Sequence, residues 1–352
     1  MRITKAILTG GGRATRLRPI TSTINKHLIP LAGKPMIFQA IEKVVEAGIT
    51  DIFINTNPGD TQIQKAVGDG SRWGVHITYF EQTGGPQGIA HVVKCAEQFV
   101  GEDPFMFYLS DNIILGSLKP LVEQFSSGDS DCLLTLSKVP DPERFGVPLF
   151  DARGTLIDVI EKPKNPTSDY AVTGIYLYTK DFFTAFDHIQ KSPRGEYEIS
   201  DIHSYFLKNN YRVVTKEITG WWKDTGKPDD LLHANRLLID ELALPQHTEH
   251  GYSQVLLGKN VVVGEGVSIQ GPAIIGDNVV LEYAELGPYV TIGAGSTIKH
   301  ATLADSIVFD GVEITAPVHL SKSIVGEKAC IRPAAIPKNQ RLIMGDFSVF
   351  EV

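Results

Sequence analysis

Six residues separate Leu257 from Val263, and the same interval leads on to Ile269, Ile275 and Leu281. After a step of five the series resumes at Leu286, Ile292 and Ile298, and Leu303 follows after another five. Glycine comes directly after the aliphatic residue at Gly258, Gly264, Gly276, Gly287 and Gly293. Few folds accept such a period. The strands of a sandwich would alternate every second residue and would need no glycine at a fixed place. A period of six marks a hexapeptide repeat, three of which close one triangular coil of a parallel β-helix, with each aliphatic side chain pointing into a narrow core. Residues 253–352 are expected to form this prism. Its flat faces and open ends favour packing against its own chain or another copy, so a homo-oligomer built through the β-helix is expected.

The first 240 residues follow another rhythm. Short apolar runs at Ala6–Thr9, Asp51–Asn55, His76–Phe80 and Phe105–Leu109 read as strands. Between them lie helical patterns, chiefly over 35–47, where apolar residues at 36, 37, 40, 41, 44 and 45 share a face. Pro35 opens that helix and Gly48 lies beyond its end. Continuous apolar strands between helices imply an α/β fold with a mostly parallel sheet covered on both faces. Further strands are expected near 133–137, 156–161 and 172–178, in a more mixed arrangement, with a helix over 228–241. Periodicity is lost across 241–252. The division expected is a catalytic domain over 1–240, a linker over 241–252 and the β-helix over 253–352. Ligands of such sheets sit beyond the carboxyl ends of the strands. The glycines at 10–12, Gln82 and Asp111 each directly follow a strand, so they should meet on one rim.

Composition narrows the class. Ordinary hydrophobic (42%) and charged (21%) fractions describe a globular chain, and a net charge of −8 argues against a nucleic-acid partner. Any site for anionic substrates must then gather its positive charge locally. The three cysteines, Cys95, Cys132 and Cys330, are too scattered for a disulfide framework or a zinc site and favour a reducing cytoplasm. Met1–Thr9 enters a strand at once, without the apolar core of a secretion signal, and no run reaches membrane-spanning length.

Charge is gathered between Gly10 and Lys34. Three glycines, Gly10, Gly11 and Gly12, are followed by Arg13, Thr15, Arg16 and Arg18, then by Lys26. Glycines let backbone amides approach and point at a ligand together, and arginine adds a donor fork matched to phosphate. A plain turn would not need three arginines within six residues. The string ends neither in the G-K-[ST] of a P-loop nor in the helix-opening G-x-G-x-x-G of a dinucleotide site. Elsewhere, Asp111 in L-S-D-N and Asp224 in W-W-K-D-T-G are carboxylates at strand ends or turns. Two such groups from distant parts of a chain suit a Mg²⁺ ion that fills its shell with phosphate and water. In E-Q-T-G-G-P-Q-G-I-A, ending in a helix that opens at Ile89, a glutamine amide can donate and accept at once, as the N3–H and O4 of thymine or uracil require. Gln82 and Gln87 both offer such an amide, and a backbone group of Gly88 can complete the pair; an exposed polar loop is the plain alternative.

Gly11-Gly12-Arg13-Ala14-Thr15-Arg16-Leu17-Arg18-Pro19-Ile20-Thr21 and Lys26-His27-Leu28-Ile29-Pro30 resemble the signature G-G-x-G-T-R-L-x-P-x-T and K-x-x-x-P of the sugar-1-phosphate nucleotidyltransferases. Two departures stand out: Ala14 and Ser110 replace glycines of that family. The strings Arg144–Pro163, Asp169–Tyr178 and Pro193–Ile202 are similar to glucose-1-phosphate thymidylyltransferases of the longer form, which carry a left-handed β-helix tail. The resemblance spans residues 3–240. It implies a Rossmann-like nucleotidyltransferase domain that joins a sugar 1-phosphate to dTTP, or to UTP, with Mg²⁺ on Asp111 and Asp224. It further implies that Gln82, rather than Gln87, and Gly88 hold the base, that Gly146, Glu161 and Val172 contact the sugar, and that Lys162 and Arg194 hold its phosphate. Arg16 and the Gly10–Gly12 amides would then stabilise departing pyrophosphate, with Lys26 at the triphosphate. Other nucleotides, amino sugar phosphates, an acetyltransferase activity in the β-helix, and a silent regulatory homologue are the competing readings. The tail's histidines, His300 and His319, have no recognisable catalytic setting, which favours oligomerisation or allosteric control for the prism.

Overall fold

The computed structural model of the chain describes residues 2–12, 14–82, 85, 87–218, 220–248, 250–333 and 342–351. Arg13 of the signature, Thr83, Gly84 and Pro86 of the glutamine loop, and Glu249 of the linker lie outside them. The chain divides into two compact units, residues 1–12 with 37–222, and residues 13–36 with 223–352.

In the first unit the short apolar runs become strands, nearly every side chain being buried in the three inner ones, while the edge strand His76–Glu81 buries only Ile77. Lys5–Thr9 (β1), Asp51–Thr56 (β2), His76–Glu81 (β3) and Phe105–Tyr108 (β4) lie parallel in the order β4-β1-β2-β3. Cys132–Lys138 (β5), Gly146–Phe150 (β6), Leu156–Glu161 (β7), Tyr170–Tyr178 (β8) and Val213–Glu217 (β9) complete a mixed sheet. In it β8 runs antiparallel to β4, β5 and β6, and β9 is parallel to β5. Helices Ile89–Cys95 and Ile199–Lys208 turn Ala90, Val92, Val93, Ile199, Ile202 and Phe206 into one core with Phe105, Phe107, Tyr176 and Tyr178. The helix expected over 35–47 spans Met36–Glu46, because Pro35 is taken into a two-residue bridge with Pro30. Among the described residues no helix is long and apolar enough to cross a membrane.

The second unit contains the left-handed parallel β-helix. Its hexads stack coil on coil in three columns. Ile275, Ile292, Val308, Val325 and Met344 form one, Leu281, Ile298, Ile314 and Ile331 a second, and Ile269, Leu286, Leu303 and Leu320 a third. All of these face the interior core. The five-residue steps from Leu281 to Leu286 and from Ile298 to Leu303 fall where the second column passes to the third, and two more, from Leu303 to Val308 and from Leu320 to Val325, fall where the third passes to the first. Glycine follows the core residue because successive coils touch there: a Cβ on Gly293 would lie 2.4 Å from Phe309 C and from Asp310 Oδ1. His300 lies flat against Tyr283, with ring centroids 5.3 Å apart.

One buried group makes the first unit sensitive to acid. His203, 1% exposed, has its Nε2 2.7 Å from the Tyr178 hydroxyl and its ring against Tyr176. Burial pushes its pKa from 6.5 down to about 3. Between those values the unfolded chain binds a proton that the folded chain refuses, so stability falls as pH falls through this window and is fully present above it. His203→Gln should flatten the acid limb of a stability–pH profile by up to about 1.4 kcal/mol per pH unit. An unchanged slope in chemical denaturation between pH 6 and 4 would contradict the assignment.

Candidate active site

Residue 10 has no room for a side chain. Its N–H donates to Asn55 O at 2.9 Å, and a Cβ there would lie 2.7 Å from that oxygen and 2.9 Å from Ile54 Cγ2. A Cβ on Gly11 would meet Asn55 Nδ2 at 3.0 Å, and Gly12, at φ 125°, donates to Asn57 Oδ1 at 2.9 Å. The amides of Gly10 and Gly12, expected to point at phosphate together, are thus fastened to the end of β2. The loop is braced from behind. Thr9 Oγ1 accepts from Ser110 N at 2.9 Å, which ties the Asp111 turn to the same edge. Asn112 organises that turn: its Nδ2 donates to Asp111 Oδ1 at 2.9 Å, and its Oδ1 accepts from Gly174 N and the Trp222 indole.

Gln82 leaves β3 with its N–H on Thr56 O. Its Nε2 is 3.2 Å from His91 Nδ1. Burial, and then the charge of Lys191, hold the His91 ring below the ordinary imidazole value. The ring is neutral at pH 7, so Nδ1 accepts and the Gln82 amide is oriented, with its oxygen and one hydrogen left for a ligand. Gly88, at φ 93°, is pressed against Tyr197: a Cβ would fall 2.4 Å from Tyr197 O. The glycine loop, Gln82 and Asp111 therefore share the carboxyl edge of the parallel strands.

The candidate sugar and sugar-phosphate residues come together through strand register. Gly146 pairs with Glu161 across β6 and β7 and with Val172 across β6 and β8. A Cβ on Gly146 would lie 3.6 Å from Glu161 Oε2 and 3.9 Å from Val172 Cβ, so glycine leaves space between them. Lys162 follows at φ 44°, its Nζ 2.7 Å from Glu161 Oε1. Arg194 lies 3.5 Å from that same oxygen and is held in a fork by Glu198, with Nε on Oε1 at 3.0 Å and Nη2 on Oε2 at 2.6 Å. These hydrogen bonds raise the arginine's pKa further. A cavity of about 1030 Å³ opens beside them, lined by Glu161, Lys162, Lys164, Lys191, Arg194 and Glu198 among others.

In the second unit Arg16 and Asp224 border one residue. A Cβ on Gly226 would meet Asp224 Oδ2 at 2.8 Å and both Arg16 terminal nitrogens at 3.5 Å. Thr15–Leu17 is a single turn whose preceding residue, Ala14, sits in the left-handed region at φ 43°. The carbonyl of Ala14 accepts from Leu17 N at 3.0 Å and Thr21 Oγ1 at 2.8 Å, which fixes the bend. Lys26 opens the turn Lys26–Leu28, capped by Asn25.

Residues 5–241 match the family model described as nucleotidyl transferase. The chain belongs to the nucleotidyl transferase family. It is 37% identical to the low-salt glycan biosynthesis nucleotidyltransferase Agl11 of Haloferax volcanii, over 98% of this chain and 99% of that protein. It is 35% identical to the glucose-1-phosphate thymidylyltransferase of Streptomyces antibioticus over 99% of each chain. A crystal structure described as a glucose-1-phosphate thymidylyltransferase from Bacillus anthracis in complex with sucrose superposes with a TM-score of 0.63. That likeness has 40% identity and covers 66% of this chain and 94% of the other.

Nucleotidyltransferases of this family generally use a divalent metal. The donor chemistry here suits one: Asp111 and Asp224 offer hard carboxylate oxygens. That fits an ion needing only one or two carboxylates. Several residues of this nucleotidyltransferase were not legible as functional from sequence. Asn55 and Asn57 carried only the faint signal of polar residues ending an apolar strand, and His91 carried none. Glu198 had only its four-residue spacing from Arg194.

Ala14 yields a stability prediction for the enzyme. A non-glycine residue in the left-handed region costs about 1–2 kcal/mol, whereas glycine gives back about 0.4–1 kcal/mol through the unfolded chain. Ala14→Gly should therefore stabilise the protein by about 0.5–1 kcal/mol, read as a higher denaturation midpoint at unchanged slope. A lower midpoint would mean that the bend is not strained.

Proposed function

We propose that the chain transfers a thymidylyl group from dTTP to a sugar 1-phosphate, glucose 1-phosphate first among them, giving a dTDP-sugar and pyrophosphate. A phosphate oxygen of the sugar 1-phosphate forms the new bond to the α-phosphorus in line. The bond from that phosphorus to the oxygen bridging to the β-phosphate breaks, and its electron pair leaves with pyrophosphate. The nucleophile is already ionised, so no general base is needed. The observation that carries the reading is the adjacency of Gly146, Glu161, Lys162, Val172 and Arg194, three of which, Glu161, Lys162 and Arg194, line one cavity. The full-length likeness to proteins named glucose-1-phosphate thymidylyltransferase supports it.

A dianion approaching a triphosphate of charge about −4 is repelled unless cations intervene. Lys162 and Arg194 neutralise and aim the nucleophile, while Gly146, Glu161 and Val172 hold its sugar. Arg16, Thr15 and the glycine loop stabilise departing pyrophosphate, and Lys26 acts at the triphosphate. With the amide of Gly10 engaged by Asn55 and that of Gly12 by Asn57, Arg16 and Gly11 take the larger share. Gln82 and Gly88 read the base. Asp111 and Asp224 hold Mg²⁺, which when bound supplies positive charge at the α-phosphate, where negative charge builds up. Catalysis belongs to residues 1–240, and after the linker at 241–252 the β-helix of 253–352 joins copies into a cytoplasmic homo-oligomer.

A second reading keeps this chemistry but takes UTP or another nucleotide, or an amino sugar phosphate. The Haloferax relative favours keeping it in view, since its name specifies neither substrate. Pyrophosphate release from dTTP, UTP, ATP and GTP, each with glucose 1-phosphate and glucosamine 1-phosphate, separates the two. The pair dTTP with glucose 1-phosphate should be fastest, and no release from any pair would overturn both. Arg16→Ala and Asp111→Asn should each lower kcat by about a hundredfold, as loss of a transition-state charge contact does. Near-normal turnover by either variant would remove that residue from its role.

A further inference from the structure

The face of the β-helix built by Val255–Leu257, Ala273–Ile275, Val290–Ile292, Ser306–Val308, Ile324–Val325 and Ile343–Met344 is unlike the others. Its outward-pointing residues Ile274, Thr291, Ile307 and Ile324 lie outside the interior core cluster, yet they are only 6%, 2%, 0% and 0% exposed. Only at the first coil does this face open, with Leu256 43% exposed; on the neighbouring face the outward residues of the first and last coils, Val262 and Val349, are 54% and 63% exposed, while Cys330 between them is 7% exposed. Within the unit, the helix Pro228–Asp240 and the signature segment 14–36 lie against the first face. Arg236 of that helix is paired with Asp305 at a coil corner. A Cβ on Gly33 would lie 3.5 Å from Ile274 Cγ2, and one on Gly345 would lie 2.9 Å from Pro19 O. Thr23 Oγ1 donates to Asp346 Oδ2 at 2.6 Å.

The centre of this contact is Asn235. It is 1% exposed, and its Oδ1 accepts both Ala32 N–H at 2.8 Å and Thr291 Oγ1–H at 3.1 Å. Ala32, at φ 48°, is the bend of the small hairpin that ends the segment. Pro19, Thr23, Ala32 and Gly33 are thus tethered to the β-helix and the helix beside it, and Lys26 lies between the tethers, with Arg16 three residues ahead of Pro19. Between its tethers the segment has only three-residue turns at Ile20–Ser22 and Lys26–Leu28. Nothing regular inside it would hold those cations in place. A segment of this kind keeps its geometry only if ordering entropy is met by contacts from outside.

We propose that this β-helix face is the template that sets the phosphate loop, and that Asn235 is a positioning residue for nucleotidyl transfer. The inference rests on the roles given above to Arg16 and Lys26. It gives the prism a task inside its own chain, separate from association between copies. It also predicts an asymmetry, because Lys162, Arg194 and Gly146 belong to the other unit and owe nothing to this contact.

The test is steady-state kinetics on the full-length chain with dTTP and glucose 1-phosphate, alongside thermal unfolding. Asn235→Ala should lower kcat and raise KM for dTTP, with a combined loss of about tenfold or more, since small misplacements near reacting groups are costly. KM for glucose 1-phosphate should stay within about twofold. Asn235→Asp keeps the accepting oxygen and should recover most of the loss. Thr23→Val removes only an exposed hydroxyl, and should reproduce a smaller dTTP-side defect of about threefold with no change in melting temperature. It therefore keeps the idea testable if Asn235→Ala folds poorly. Normal dTTP kinetics in both Asn235→Ala and Thr23→Val, or equal losses on both substrates that track the melting temperature, would overturn the template. Full turnover by Arg16→Ala measured in parallel would overturn it together with the reading it rests on, whereas a damaged Arg16→Ala beside normal Asn235→Ala and Thr23→Val would overturn the template alone.

Discussion

One backbone hydrogen bond, Gly10 N–H to Asn55 O at 2.9 Å, carries the β1–β2 ladder a residue beyond the end of β1. Much of the rim follows from it. A backbone that approaches its neighbour this closely beyond the strand leaves no room for a Cβ, so glycine is required by contact rather than by flexibility. The chain then leaves the sheet at a fixed point, where Thr9 Oγ1 receives Ser110 N and draws the Asp111 turn onto the same edge. Parallel strands put their carboxyl ends together, and these two contacts make that edge a stage of defined geometry.

The parts of the molecule that were legible in the sequence are those in which structure repeats locally. The hexads of the β-helix fell into interior columns because period six and the coil are the same fact. The parallel strands were legible because burial on both faces leaves continuous apolar runs. The sugar basin is different in kind. Gly146, Glu161 and Val172 meet only through the registers of β6, β7 and β8, which no local pattern encodes, and they were reached through family resemblance. The engaged amides of Gly10 and Gly12, the His91 contact with Gln82 and the seat of residues 14–36 on the prism were illegible. Each depends on a side chain supplied from a remote stretch, as Asn57 is to Gly12, Asn235 to Ala32 and Asp346 to Thr23.

Electrostatics at the basin are not those of a simple anion trap. Arg194 is within salt-bridge distance of Glu161, Glu196 and Glu198, and the last of these is nearly buried. A guanidinium so surrounded is oriented at the cost of much of its outward field. In the role proposed for it, a sugar phosphate would compete with carboxylates for this arginine, and the competition would select for a ligand that also satisfies Glu161 with hydroxyls. Charge alone would not discriminate among anions in a protein of net charge −8; a half-neutralised arginine with a demanding carboxylate beside it does.

Both units carry the same device at or beside residues proposed to hold phosphate. Ala14 and Lys162 are non-glycine residues in the left-handed region, at φ 43° and 44°. Such conformations persist only where the surroundings over-determine them. At Lys162 the surroundings are local: its N–H is bound by Phe145 O and its side chain by Glu161. At Ala14 the carbonyl is held by Leu17 and Thr21, inside a segment that has no regular element long enough to enforce the bend by itself. These two local bonds set the bend, and the segment's further contacts fall on the prism and the helix beside it, at Ile274, Asn235, Gly345 and Asp346. A strained alanine standing where the resembling family carries glycine is therefore intelligible as the mark of a loop held by its local bonds and its seat together.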